Sequence, residues 1–175
     1  MYRTIIIFLF SLLFITTSCH RENIHDEKII SNSDFSLEKD IFKFSETMKD
    51  EDTIFVCADL SVCMLRLKYY NCITKSHDTV FIETKSIETL ESGNETIDLG
   101  KVVYKKDSED TLNFEDMFLY MQQYADSKEN TCFTTLQIAY KTDTLYYDLN
   151  SVVKILDFTK YYVDIMYKYY SGEKL

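Results

Sequence analysis

The sequence predicts an α+β domain: a mainly antiparallel sheet of about five to six strands with two to three helices packed on it, the last of them long. Three observations carry this. Several short segments alternate apolar and polar residues with the period of a half-buried strand. Three other segments place apolar residues three and four apart, as a helix lying on a core does. Their order is helix, four strands, helix, hairpin, helix, which puts strand beside strand rather than alternating strand and helix as a parallel sheet would.

The first helical segment is SLEKDIFKFSETMKD. Ser36 is an N-cap residue, and Leu37, Ile41, Phe44 and Met48 fall on one stripe before the acids Asp50, Glu51 and Asp52. TIFVCA (53–58) is a short apolar strand. CMLRLKYY (63–70) alternates Cys63, Leu65, Leu67 and Tyr69 against Arg66 and Lys68, and a turn near Leu60 would set Cys57 opposite Cys63. TVFIETK (79–85) and GKVVYKK (100–106) are further strands. Between them SIETLESGNETIDL (86–99) is polar with Gly93-Asn94 and reads as a loop or hairpin tip. Asn113 caps the second helix. Glu115 and Asp116 sit in its first turn, where the helix dipole favours them, and Phe114, Met117, Phe118, Met121, Tyr124 and Ala125 form its stripe. TCFTTLQIAY (131–140) turns through KTD into TLYYDL (144–149), a hairpin in which Tyr146 is opposite in phase to Leu145 and Tyr147. The last helix runs from a cap at Asn150 to Gly172. Its apolar arc, a little over half the circumference, holds Phe158, Ile165, Tyr169, Tyr162, Ile155, Met166, Val152, Tyr170, Val163, Leu156 and Tyr167. Tyr161 falls in the charged arc with Lys154, Asp157, Lys160, Asp164 and Lys168, so it is predicted to be exposed and Tyr162 buried.

The N-terminus has a different design. Arg3 precedes an uncharged run, Ile5–Thr17, that is too short to cross a bilayer but has the length of a signal-peptide core. It ends in ITTSC, residues 15–19. This stretch resembles a bacterial lipobox of the relaxed kind, with Thr16 and Ser18 where Leu and Gly or Ala are usual. The resemblance implies that residues 1–18 are a lipoprotein signal peptide and that Cys19 becomes a lipidated N-terminus. Residues 19–33 are then a polar tether and 34–175 a single domain. It also implies a lipid-anchored place in the bacterial cell envelope, at the outer membrane, on its periplasmic face or the cell surface. Stable anchoring takes two or more acyl chains. Cysteine counting agrees: five cysteines leave one odd thiol, and assigning Cys19 to lipid leaves Cys57, Cys63, Cys72 and Cys132 for two disulfides. With the turn near Leu60, the pairing read from the sequence is Cys57–Cys63 with Cys72–Cys132.

Removing residues 1–18 leaves 157 residues, enough for one domain with a real core. Lys and Arg fall from 19 to 18 against 29 acids, a net charge of −11. That excludes nucleic acid, whose affinity comes from cations on phosphates, and favours a basic protein partner. Gly93, Gly100 and Gly172 are isolated, so there is no glycine-rich phosphate loop. Of three histidines, His20 and His25 lie in the tether and His77 reads as a turn residue beside Asp78. No nucleophile–base set, zinc spacing or calcium loop is present, and no cofactor is expected. The predicted function is a non-enzymatic, lipid-anchored binding module, in one version an inhibitor or immunity-type protein. Asp107, Glu109, Asp110, Tyr146 and Tyr161 are the candidate contact residues. The alternatives are an envelope hydrolase using two carboxylates, and a structural component of a surface complex.

Overall fold

The computed structural model describes residues 33–61, 66–90, 93–106, 109–124, 134–149 and 152–170. Two short helices, α1 (Leu37–Asp40) and α2 (Phe44–Thr47), are joined by a 3-10 turn at Ile41–Lys43. Strands β1 (Thr53–Asp59), β2 (Arg66–Ser76), β3 (Thr79–Leu90) and β4 (Gly93–Val103) follow, then helix α3 (Phe114–Gln122), strands β5 (Thr134–Tyr140) and β6 (Asp143–Asp148), and helix α4 (Val152–Tyr170). The α+β class and the antiparallel sheet are as the sequence predicts. The six strands lie in the order β4-β3-β2-β1-β5-β6, every neighbour antiparallel. The chain meanders from β1 to β4, then passes through α3 to add β5 on the far side of β1.

The predicted stripes are the ones that bury. Leu37, Ile41, Phe44 and Met48 are all in the core with Phe114, Met117, Phe118 and Met121 of α3 and Phe158, Tyr162, Ile165, Met166 and Tyr170 of α4. They meet one set of alternate strand positions: Ile54, Val56, Ala58, Ile73, Ile82, Leu136 and Ile138. Asn113 caps α3 as expected, its side chain accepting from the Asp116 amide at 2.9 Å. Ser36 stands at the N-cap of α1, but its side chain makes no capping bond; Asp40 accepts from the Ser36 amide instead, at 2.8 Å. The predicted cap Asn150 and stop Gly172 of α4, and the stripe residue Ala125, lie outside the described residues.

The stretch read as a loop or hairpin tip is the end of a hairpin, and most of it is strand and not loop. Residues 86–90 continue β3 and 93–99 begin β4, making a long hairpin whose end projects past the core. Residues 93–98 are all exposed, and that is why they are polar. The sequence signal there reported solvent, not irregular backbone. A second correction concerns β1 and β2. Cys57 pairs with Tyr70 and Asp59 with Lys68, so the two strands are not folded about Leu60, and Cys57 stands opposite Tyr70 rather than Cys63.

The buried face holds two polar clusters that fix its neighbours. Asn71 and Thr84 lie under α4. The Tyr162 hydroxyl donates to Asn71 Oδ1, Asn71 Nδ2 donates to Thr84 Oγ1 at 2.7 Å, and Tyr170 Oη lies 2.7 Å from the same oxygen and donates to the Ile82 carbonyl at 3.1 Å. Burying a polar group unsatisfied costs about 1–3 kcal/mol, so α4 docks in the one register that satisfies all four. Asp52, 1% exposed, accepts from Tyr140 Oη (2.7 Å), Ser33 Oγ (2.5 Å) and the Lys49 amide (2.8 Å), which ties the start of the domain to β5.

Candidate functional site

No helix among the described residues lies on the other face of the sheet. Register places two complete rungs across its middle. One reads Lys101, Glu83, Cys72, Phe55, Ala139, Thr144 from β4 to β6; the next reads Asp98, Lys85, Tyr70, Cys57, Gln137, Tyr146. Phe55 is 58% exposed and Tyr70 41%, and the centre of the face is a depression of about 570 Å³. Two exposed aromatic rings side by side on a sheet are a feature that wants an explanation, because folding gains little from leaving them in water.

Charges ring this apolar centre in pairs. Lys68 Nζ is 2.8 Å from Asp59, and Lys85 Nζ is 3.9 Å from both Glu83 and Asp98. Lys101 Nζ lies over the Phe81 ring, 4.6 Å from its centroid. Asp98 reaches this face because of a bulge. The register shifts between Thr84 and Lys85, leaving Leu99 as the extra residue beside Gly100 at φ +87°. Lys85 therefore meets Asp98 where an unbroken ladder would offer Leu99.

The chemistry of the face is that of recognition. Burial pushes the thiols of Cys57 and Cys72 up from their ordinary value, with Lys68 partly opposing the shift at Cys57, so both are protonated and poor nucleophiles at neutral pH. Both are free thiols. They sit on adjacent strands one rung apart, a diagonal of about 7–8 Å that a disulfide does not span without backbone movement. Their predicted partners, Cys63 and Cys132, lie outside the described residues, as does Cys19. Elsewhere, His77 and Asp78 form the two-residue turn between β2 and β3 at φ 49° and 62°, and His77 bonds only Ser76 Oγ among the contacts recorded for its ring, at 3.0 Å. Glu115, 2% exposed, accepts from Ser45 N and Oγ at 2.8 and 2.7 Å and pairs with Lys106 at 3.0 Å. Both buried carboxylates, Glu115 and Asp52, thus have donors from their own chain. Among the described residues no group of three or more His, Cys, Asp or Glu side chains is arranged to hold a metal.

The predicted contact residues are scattered. Glu109 is exposed. Asp110 is held by Lys168 at 2.5 Å and by the Leu112 amide at 2.7 Å, and Lys168 first, then that amide, keeps its carboxyl below the usual range. Asp107 lies outside the described residues. Tyr161 is not free on the charged side of α4: it is half-buried, edge-on to Tyr120 at 5.8 Å, and its hydroxyl donates to the Thr111 carbonyl at 2.6 Å. The irregular segment of residues 109–112 meets α4 through Tyr161 and Lys168, which helical phase alone does not reveal. Tyr146 is half-buried at the β6 end of the open face, beside Gln137. Phe55 and Tyr70 did not stand out in the sequence. In TIFVCA Phe55 hides in a continuous apolar run, the pattern of a strand buried on both faces, and Tyr70 falls in phase with Arg66 and Lys68 at the end of CMLRLKYY. No family model, no curated protein and no solved structure matches this chain.

Proposed function

We propose that this chain is a bacterial envelope lipoprotein, held by lipid on Cys19, whose domain works by binding a protein partner and not by catalysis. One observation carries the binding half. The sheet offers an apolar, aromatic, thiol-bearing face with paired charges around it, while the buried carboxylates Asp52 and Glu115 are engaged in holding the fold and His77 is an exposed turn residue. The lipid half rests on the order cation, apolar run, Thr-Thr-Ser-Cys, and on the odd cysteine. The net charge of −11 in the processed chain favours a basic partner, in the manner of an inhibitor or immunity-type protein.

Two measurements test this. Metabolic labelling with a fatty acid should mark the wild type and not Cys19→Ala; equal label in both refutes the anchor. Capture of proteins from the chain's own envelope, and from material secreted by neighbouring cells, should be lost with Phe55→Asp. Capture that is indifferent to Phe55→Asp removes the open face from the reading. Hydrolysis of a cell-wall glycan by the purified chain, abolished by replacing one carboxylate, would replace binding with catalysis.

A further inference from the structure

We infer that the open face is occupied by a second copy of the chain, packed sheet against sheet about a two-fold axis. This rests on the reading that the face binds. The argument is in the registers. Place the axis in the plane between two facing sheets, running across the strands midway between the two central rungs. Each strand then faces its own mate and the two rungs exchange. Lys101 faces Asp98 of the other copy, Glu83 faces Lys85, Phe55 faces Cys57 and Cys72 faces Tyr70. On these two rungs each charge meets its opposite and the apolar centre of Phe55, Cys57, Cys72 and Tyr70 meets itself, while Ala139 faces Gln137 and Thr144 faces Tyr146. An axis lying on either rung would instead set Lys101 on Lys101, or Asp98 on Asp98, so the pattern selects one register and rejects its neighbours. The bulge at Gly100 is what makes this possible, since it brings Asp98 to the face.

Charge supports the same occupant. The chain carries −10, so two copies repel in most orientations. On this face the three lysines Lys68, Lys85 and Lys101 offset the three acids Asp59, Glu83 and Asp98. Six strands about 4.8 Å apart and about 20 Å of strand length give roughly 550 Å² per copy, about 1,100 Å² in all, at the lower limit of a specific interface. Sheets pack face to face within about 30° of alignment, which preserves the rung-to-rung contacts. Lipid tethering would add to this: confining both copies to one membrane raises their effective concentration, so a modest affinity suffices.

The test is sedimentation equilibrium of the full chain in detergent, with four variants. Wild type should dimerise. Lys85→Glu and Glu83→Lys should each weaken the dimer by about tenfold or more, because each sets like charges against each other twice across the axis. The double swap, Lys85→Glu with Glu83→Lys, should return the affinity to within about threefold of wild type. Phe55→Asp should be monomeric. Circular dichroism melts at low concentration, where the wild type too is monomeric, should be unchanged throughout, since all three side chains are exposed. A wild type that stays monomeric to about 100 µM, a double swap that fails to restore, or association equal in wild type and Phe55→Asp overturns the inference. The binding reading fails separately. A monomeric wild type whose capture of an envelope protein is lost with Phe55→Asp keeps that reading and discards the dimer; a monomer with capture indifferent to Phe55→Asp discards both.

Discussion

The two faces of this sheet use similar residues for opposite ends. On the helix side Tyr162 and Tyr170 are buried at 0% and 3% exposure, and their hydroxyls satisfy Asn71, Thr84 and the Ile82 carbonyl. On the open side Phe55 and Tyr70 stand one strand apart in water with two thiols between them. Aromatic content therefore does not tell the core from the surface here. What tells them apart is whether a polar group has a partner inside the fold. The helix face closes its hydrogen bonds within the chain. The open face closes its charges in pairs and leaves its apolar surface unmet.

Alkaline pH should break the covered face first and most completely. Burial raises the phenols of Tyr162, Tyr170, Tyr69 and Tyr104, and lifts Tyr147 to about 12. These groups stay protonated in the folded chain while the unfolded chain ionises near the ordinary value of 10.0. The native state then holds more protons, so stability is full below about pH 10 and is lost as pH rises through the folded values. Phenolate absorbance should appear together with loss of helical dichroism in one cooperative step. Gradual titration of all fourteen tyrosines before any unfolding would contradict the burial on which the comparison stands.

Single substitutions sharpen it. Tyr162→Ala should cost about 3–5 kcal/mol in denaturant unfolding, as deletion of a buried aromatic does. Tyr162→Phe isolates the hydroxyl and should cost about 1–3 kcal/mol, because it leaves Asn71 Oδ1 without its donor. Tyr161→Ala comes next, at about 1–2 kcal/mol, for the loss of a half-buried ring and its bond to the Thr111 carbonyl. Neutrality at Tyr161 would restore the purely helical phase that the sequence suggests.

How far the sequence is legible follows the range of the contacts. The stripes Leu37–Met48, Phe114–Met121 and Phe158–Tyr170 are set by helical period within each segment and supply the core, although Leu156 and Tyr167, which the same phase assigns to the apolar arc, are 51% and 52% exposed. Asn113 is legible because a cap acts three residues away. The failures are non-local. Tyr161 packs against Tyr120 and Thr111, and Asp110 is neutralised by Lys168, 58 residues on; neither neighbour is visible from helical phase or a charge count. A hairpin tip near Gly93-Asn94 is legible, but the length of strand around it is not, because an exposed strand pair has no apolar alternation to show. The open face was hidden for the converse reason: Phe55 and Cys57 complete an apolar run, so TIFVCA looks buried on both sides. The pairing of β1 with β2 shows how little a short strand fixes its own register, since Cys57 stands opposite Tyr70 and not Cys63.

The smallest expected effect is the most discriminating. Phe55→Thr removes a large apolar side chain but keeps a residue suited to a strand, so only burial is altered in a major way. If Phe55 stands in water in the isolated chain, unfolding should change by about 0.5 kcal/mol or less, as at other exposed positions. The measurement belongs at low concentration, where a second copy cannot cover the ring. Repeated at high concentration, the wild type should gain stability and Phe55→Thr should not, because a partner that binds only the folded state stabilises it by mass action. A loss of several kcal/mol at low concentration would mean that Phe55 is covered within a single chain. The sheet would then have two core faces, and the contrast between a face that closes on itself and one that waits for a partner would be gone.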